Sequence, residues 1–287
     1  MWVDWDLHSV RCGPGSLRAR HTHQWACCAH AARVPAARHP PLASASAPRY
    51  HPASRASAGR AHTQPQPVAS MSKLDEQIVV APRAQLFAED ESLAFHGFLP
   101  LSDRRAPAIL QGLAEGAALA RRGDVEDDPA LLQPIPYVVL ARAGAVGTEL
   151  FAYTRLVGGG ERRLHGKTSI GVGGHMNDLF SAATLREVVA LEAGRELAEE
   201  LDFRDAASRT APPPPIRLLG LINDDTGPVQ RVHIGLLAIA DVRGDLRVSV
   251  RETERLEGDW VAIDALAARP ALEEWSLHAL EGLRAER

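Results

Sequence analysis

Residues 187–203 read EVVALEAGRELAEELDF, and this stretch is the most informative part of the sequence. Apolar residues recur at helical spacing through it, which predicts an amphipathic helix over residues 184–201. Glu196, Glu199 and Glu200 fall at i, i+3 and i+4, so their carboxylates share one face of that helix. Like charges at this spacing destabilise a bare helix by about 0.2–0.5 kcal/mol per pair. The predicted helix contains no lysine, and a bound cation would relieve the repulsion.

Carboxylate oxygens are hard ligands that suit Mg²⁺, and Mn²⁺ can substitute in an oxygen-rich site. Such a cation neutralises a diphosphate in the transition state and lowers the pKa of a bound water. A nearby carboxylate can take the proton from that water. Three glutamates alone are more often a solvated helix face, so the interpretation depends on the residues around them.

The wider pattern is Glu187, seven residues, and then the run RELAEELDF that begins at Arg195. It resembles the Nudix signature, in which a glutamate, seven residues and REUxEExGU are fixed, U being a bulky aliphatic residue. The resemblance implies that Glu196, Glu199 and Glu200 bind a divalent metal. Glu187 would be an additional carboxylate or ligand. Arg195 would ion-pair with the glutamates and fix them, so that Arg195, Glu196 and Glu199 form the catalytic group.

Two positions depart from the signature. Asp202 stands where the family has a glycine after the paired glutamates, and Ser181 stands where a glycine is expected before the helix. Asp202 tolerates a left-handed conformation better than most residues, so it can still end the helix. The nearest upstream glycine is Gly174, which would carry the turn ahead of the helix across a loop lengthened by about seven or eight residues.

Further motifs extend the resemblance over about residues 135–262. The runs are GGGE at 158–161, LHGK at 164–167, SIGVGGHMN at 169–177, INDD at 222–225 and VHIG at 232–235. Together they look like a subgroup of MutT-like predicted phosphoesterases whose substrates are poorly defined. By that resemblance the fold is a Nudix-type α/β/α sandwich with a mixed β-sheet, flanked by the signature helix and a C-terminal helix.

The remaining site candidates have simpler explanations as well. Nudix enzymes often take a further carboxylate from a later loop, and among Glu252, Glu254 and Glu257 we favour Glu254. Basic and imidazole side chains could bind a negative substrate, although a surface ion pair or a hydrogen-bonded loop histidine would explain each equally well. These substrate-binding candidates are Arg155, His165, Lys167 and His175.

Secondary structure elsewhere follows the hydrophobic period. We predict helices over 107–122 and, at the C-terminus, 270–283. A continuous apolar run suggests that the last predicted strand is central. We divide the chain into residues 1–70, an N-terminal strand and helix part at 71–130 that packs on the core, and a Nudix hydrolase domain at 131–287. Strands are predicted at 77–81, 85–87, 135–141, 149–156, 169–172, 217–222 and 231–242.

Residues 1–70 differ in composition from the rest of the chain. They hold eight arginines, no lysine, two aspartates and eight prolines, without a helical or strand period. We predict a disordered extension, either an organelle transit peptide or sequence ahead of a true start at Met71, and favour the second. All three cysteines lie here, so no disulfide framework supports the body of the protein.

The charge balance limits the partners. The net charge is −4 and the first 70 residues are basic, so the rest is acidic and lacks a broad basic stripe for a nucleic-acid polymer. No run of about eighteen apolar residues supports a membrane span, and we expect a cytoplasmic protein. A small-molecule diphosphate is the expected partner. The oligomeric state stays open, with a homodimer as one alternative.

These features predict a metal-dependent hydrolase that cleaves a diphosphate linkage in a nucleoside diphosphate derivative or a related organic pyrophosphate, with Mg²⁺ or Mn²⁺. A non-catalytic nucleotide-binding sensor with a Nudix-like fold is the alternative, although the intact glutamates argue against it. An activity like that of isopentenyl-diphosphate isomerase would need a catalytic cysteine, and none follows Cys28. The sequence does not identify the substrate.

Overall fold

The computed structural model describes residues 72–156, 166–266, 268–269 and 271–285. The predicted N-terminal extension, the GGGE run and His165 lie outside these residues. Within them the chain forms six α-helices and twelve strands. The helices are α1 (Arg83–Phe87), α2 (Ala106–Gly116), α3 (Arg122–Val125), α4 (Leu185–Glu200), α5 (Ile263–Leu266) and α6 (Glu274–Ala285). The strands are β1 (Gln77–Pro82), β2 (Gly97–Pro100), β3 (Ala118–Arg121), β4 (Leu131–Gly144), β5 (Gly147–Arg155), β6 (Thr168–Ser169), β7 (Gly171–Gly173), β8 (Leu201–Arg204), β9 (Ile216–Asn223), β10 (His233–Asp241), β11 (Arg247–Val250) and β12 (Leu256–Ala262).

The main sheet is mixed. Its strands run in the order β12-β5-β4-β10-β9-β2, and β1, β3, β6 and β7 pair outside this path. Strands β4 and β10 are parallel, with Tyr137 opposite Leu237, whereas the other pairs are antiparallel. The predicted central strand is β10, which lies between β4 and β9 as its continuous apolar run indicates.

Alternate residues of β4 face two different helices. Val138 and Leu140 belong to the core that Leu197 of α4 completes. Tyr137 and Val139 point to the opposite face and pack in the core that holds Leu280 of α6. The predicted α/β/α sandwich with a mixed sheet is therefore confirmed. Each fully buried leucine in these layers contributes about 1.5–3 kcal/mol to folding.

Helix α4 has well-defined ends. Thr184 and Glu187 form a reciprocal capping box at its N-terminus. At the other end the backbone becomes extended at Leu201 (φ −121°, ψ 149°) and continues directly into β8, which pairs with β11. Asp202 is thus a strand residue opposite Ser249, and the expected left-handed helix end at Asp202 is wrong. A glycine is favoured at a helix end only where the backbone is left-handed, so this extended end does not require the glycine that the family has there.

The structure also corrects the sequence prediction outside the sandwich. Residues predicted as a strand at 85–87 belong to α1, and the helix predicted over 107–122 ends at Gly116 and gives way to β3. Helices α1 and α2 lie so close that a Cβ at Gly112 would overlap the carbonyl oxygen of Gln85. The packing of α1 against α2 therefore favours a helix at residues 85–87, where the sequence pattern alone predicts a strand. None of the described helices is long and apolar enough to span a bilayer.

The loop between β7 and α4 is held by β1. The N–H of Val79 donates to the carbonyl oxygen of Met176 at 2.8 Å, and Asn177 Nδ2 donates to the carbonyl oxygen of Gln77 at 2.8 Å. Met176 and Leu179, within this loop, are buried in the core that also contains Val79. The lengthened loop therefore has a defined path. The division of the chain at 130/131 stays a prediction.

Candidate active site

Arg195 lies at the centre of the acidic face of α4. Its Nη2 donates to the carbonyl oxygen of His175 at 2.8 Å, which ties the helix to the loop ahead of it. The same guanidinium contacts three carboxylates, those of Glu192 and Glu196 at 2.8 Å and that of Glu199 at 3.1 Å. Burial disfavours its charge, but these carboxylates raise the pKa of Arg195 above its ordinary value. Arg195 therefore holds the acidic residues in one arrangement.

Glu196 is the buried member of the acidic face, with 8% of its surface exposed. Its carboxylate lies directly against Gly174, where any Cβ would overlap the carboxylate atoms. Burial raises the pKa of Glu196, and the carboxylates of Glu199 and Glu200 raise it as well, whereas Arg195 lowers it. A cation would stabilise the charged form of a buried carboxylate with two acidic neighbours.

Glu199 and Glu200 complete the acidic face, and both are exposed. In the part of the chain that the structure describes, no three histidine, cysteine, aspartate or glutamate side chains already form a metal-binding group. Exposed side chains change rotamer within nanoseconds, so these two glutamates can turn toward Glu196. All three donors are carboxylate oxygens, the ligand type that Mg²⁺ and Mn²⁺ prefer. The residues present therefore fit such a cation.

Glu187 lies at the other end of α4. Its Oε2 accepts hydrogen bonds from the backbone N–H groups of Ala183 at 3.2 Å and Thr184 at 3.1 Å. Nine residues at about 1.5 Å each separate Glu187 from Glu196 along the helix. The structure thus does not bring Glu187 to the acidic cluster, and its carboxylate satisfies donors at the helix N-terminus instead.

Glu192 also belongs to the site, although it was not among the residues predicted from the sequence. Its carboxylate is 6% exposed and accepts a hydrogen bond from the N–H of Asn177 at 2.9 Å as well as from Arg195. It therefore fastens the loop and the arginine to the same helix. The available signal was its position three residues before Arg195, where two side chains share a helix face.

Glu254 lies in the exposed turn between β11 and β12. At the start of this turn the N–H of Arg251 donates to the carbonyl oxygen of Glu200 at 3.0 Å. The turn is therefore adjacent to the C-terminal end of α4. Among the described residues no hydrogen bond or ion pair joins Glu254 to Glu199 or Glu200. Its role as a further carboxylate stays a prediction.

A cavity of about 260 Å³ opens on the α6 face of the sheet. Arg155 lines it and pairs with Glu273 at 3.5 Å, and Lys167 pairs with Glu274 at 3.5 Å. Arg155 thus lines the cavity, whereas Lys167 is linked to it through Glu274, and each of these two predicted substrate-binding residues is in an ion pair. Gly173, which adjoins Gly174, also lines the cavity. The aromatic part of its lining is Tyr137, Tyr153, His233 and Trp275.

His175 has protein partners on its side chain. Its Nε2 lies 2.6 Å from Oε1 of Gln133 and 3.3 Å from Nε2 of His233. Burial lowers the pKa of His175 to about 3, so the imidazole is neutral at pH 7. A phosphate contact by His175 stays a prediction. Gln133 and His233 were not selected as site residues, and the VHIG run that contains His233 was the available signal.

Comparison with known proteins identifies relatives of this chain. No family model matches the chain. It is 43% identical over 209 residues to Protein YmaB of Bacillus subtilis, an alignment that covers 72% of this chain and 96% of YmaB. The crystal structure of Tm1382, by its description a candidate Nudix hydrolase, is 26% identical with a TM-score of 0.57 and covers 74% of this chain and 100% of Tm1382.

A third match is more distant. The NUDIX domain of Shewanella oneidensis NrtR, solved in complex with ADP ribose, is 16% identical with a TM-score of 0.39, over 54% of this chain and 88% of that one. The signature on α4, the sandwich around it and the likeness to Tm1382 over its whole length point to one assignment. The chain belongs to the Nudix superfamily.

Proposed function

We propose that the protein is a metal-dependent hydrolase that cleaves a diphosphate linkage in a nucleoside diphosphate derivative or a related organic pyrophosphate. One water is consumed, one P–O bond of the anhydride breaks, and two phosphorylated products leave. The observation that carries this proposal is the buried carboxylate of Glu196, packed against Gly174 beside the exposed Glu199 and Glu200. The description of Tm1382 as a candidate Nudix hydrolase supports it.

Glu196, Glu199 and Glu200 would hold Mg²⁺ or Mn²⁺. When bound, the cation neutralises charge on the diphosphate and lowers the pKa of an attacking water. Arg195 would keep the three carboxylates oriented, because its guanidinium already contacts Glu196 and Glu199. Glu254 would take the proton of the water, since its turn is adjacent to the end of α4.

The organic group of the substrate would enter the cavity on the α6 face. The aromatic side chains of Tyr153 and Trp275 offer flat apolar walls. Arg155 and Lys167 would exchange their ion pairs with Glu273 and Glu274 for the negative groups of the substrate. Gly173 lines the cavity and its neighbour Gly174 contacts Glu196, so the organic group and the diphosphate would lie on either side of β7.

The test is product release from a panel of nucleotide sugars, dinucleotides, nucleoside triphosphates and simple organic pyrophosphates with Mg²⁺ or Mn²⁺. Glu199→Gln should lower kcat more than about 100-fold, beyond the 10- to 100-fold effect of residues that only support metal ligands. Glu89→Gln, an exposed glutamate far from α4 in sequence, is the matched control and should retain full turnover.

The same panel tests the alternative function. Mn²⁺ binding to the wild type and to Glu199→Gln, followed by electron paramagnetic resonance, gives a readout that is independent of turnover. Turnover that is independent of metal would refute the proposal. Absence of turnover across the panel, with tight binding of one nucleotide, would favour a non-catalytic sensor.

A further inference from the structure

Gln133 is a fully buried polar residue on β4, directly opposite His233 of β10 in the parallel register. Its Nε2 donates to the carbonyl oxygen of Val125 at 3.2 Å. A carbonyl oxygen only accepts hydrogen bonds, so this contact fixes which end of the amide is nitrogen. The amide Oε1 then faces Nε2 of His175 at 2.6 Å and must accept a hydrogen bond from an Nε2–H group.

His233 is constrained in the same manner. Its Nδ1 lies 2.6 Å from the carbonyl oxygen of Val229, so Nδ1 carries the proton and Nε2 carries a lone pair. That lone pair lies 3.3 Å from Nε2 of His175, whose proton is therefore shared between Gln133 and His233. Burial lowers the pKa of both imidazoles, which keeps both rings neutral. These contacts fix the tautomer of each ring, with the proton on Nδ1 in His233 and on Nε2 in His175.

The hydrogen-bonded residues His233 and His175 contact different parts of the site. His233 lines the cavity, and its ring lies 6.4 Å from that of Trp275 in an edge-to-face arrangement. His175 reaches α4 through its backbone, because its carbonyl oxygen accepts the hydrogen bond from Arg195 at 2.8 Å. Hydrogen bonds on either side of His175 thus link the cavity wall, through the covalent structure of this residue, to the arginine that contacts Glu196 and Glu199.

We propose that Gln133, His175 and His233 form a positioning relay that couples occupation of the cavity to the placement of Arg195. The inference rests on the proposed function, and it adds two residues, Gln133 and His233, that lie outside the glutamate signature. A ligand that shifts the ring of His233 changes the contact with His175. The carbonyl group of His175 then moves, and the positions of Arg195 and of the carboxylates that it contacts change with it. In the relay these residues act by positioning the reacting groups.

The first test is spectroscopic and needs no substrate. Long-range ¹⁵N–¹H correlation spectra of the full chain report the tautomer of each histidine. The relay requires the Nδ1–H tautomer at His233 and the Nε2–H tautomer at His175. In Gln133→Met, which keeps the length of the side chain but accepts no such hydrogen bond, the His175 signals should shift. The opposite tautomer at either ring in the wild type would overturn the proposal.

The second test compares two substitutions at one position. His175→Gln retains a donor near the position of Nε2, whereas His175→Leu does not. We expect His175→Leu to lower kcat about 10- to 100-fold with KM nearly unchanged, and His175→Gln to recover most of that loss. His96→Gln, an exposed histidine outside the relay, should behave as the wild type. Equal losses in the Gln and Leu variants would overturn the relay.

A double-mutant cycle separates coupling from stability. If the relay acts through Arg195, the effects of His175→Leu and Arg195→Lys on kcat should be strongly non-additive. Additive effects would overturn the coupling even if each variant is impaired. If the wild type hydrolyses no compound in the panel, the proposed function fails by itself. The relay is then decided by the tautomers and by whether His175→Leu changes Mn²⁺ affinity.

Discussion

Replacing Gly174 with alanine would put a methyl group where the carboxylate of Glu196 lies. Gly174 is not among the glycines with positive φ, so the expected effect comes from the overlap with the carboxylate. The carboxylate would have to leave its 2.8 Å contact with Arg195. A charge-assisted hydrogen bond contributes about 1.5–3 kcal/mol. The expected loss of metal affinity is therefore about 10- to 150-fold.

The assay is a titration of Gly174→Ala with Mn²⁺ together with kcat on the best substrate of the panel. Gly194→Ala on α4 is the matched control, since a Cβ there meets no atom within 4 Å. It should raise the free energy of unfolding by about 0.8–1 kcal/mol through helix propensity and leave metal binding unchanged. Wild-type Mn²⁺ affinity in Gly174→Ala would refute the inference that this close contact shapes the site.

Three further outcomes follow from the same geometry. Thr184→Ala removes the cap of α4 and should lower the free energy of unfolding by about 1 kcal/mol in thermal melts, while Mn²⁺ binding stays unchanged. A loss of Mn²⁺ affinity in this variant would contradict the purely structural role of the cap that Thr184 forms with Glu187. Arg195→Lys should lower kcat about 10- to 100-fold in the panel assay, because one ammonium cannot replace the guanidinium contacts. The raised pKa of Glu196 means that its protonation stabilises the metal-free fold, fully below about pH 4.5 and no longer once the pH passes the raised value. Thermal melts against pH should show this slope in the wild type and not in Glu196→Gln, and Mg²⁺ should stabilise the protein more as the pH rises.

The acidic helix was predictable because its evidence is local. Three glutamates, Glu196, Glu199 and Glu200, and the apolar residues of the opposite face all lie within five turns of one helix. Helical periodicity alone therefore predicts which of these residues share a face. The sequence Thr184-Leu185-Arg186-Glu187 also matches a capping box, a local signal that the sequence prediction did not use and that the structure forms. The mixed sheet followed from the strand pattern together with the family resemblance.

The relay and the cavity were not predictable in this way. Gln133 and His233 are a hundred positions apart in the sequence, and only the register of two parallel strands makes them neighbours. Periodicity predicts which face of a strand is buried, but it does not predict which residue of the next strand lies opposite. The strand that follows Glu200 was missed for a related reason, because β8 is short and pairs with a distant partner, β11.

The hydrogen bonds from β1 to the loop ahead of α4 set a limit on how far the protein can be truncated from its N-terminus without loss of metal binding. Met176 and Leu179 anchor that loop in a core completed by Val79, and the Met176 carbonyl oxygen depends on the Val79 N–H. A chain shortened to residues 131–287 would keep every glutamate of the signature yet expose two loop anchors to water. Such a fragment should bind Mn²⁺ poorly, because the backbone at Gly174 would no longer be held beside Glu196. The shortest chain that preserves the site begins no later than Gln77.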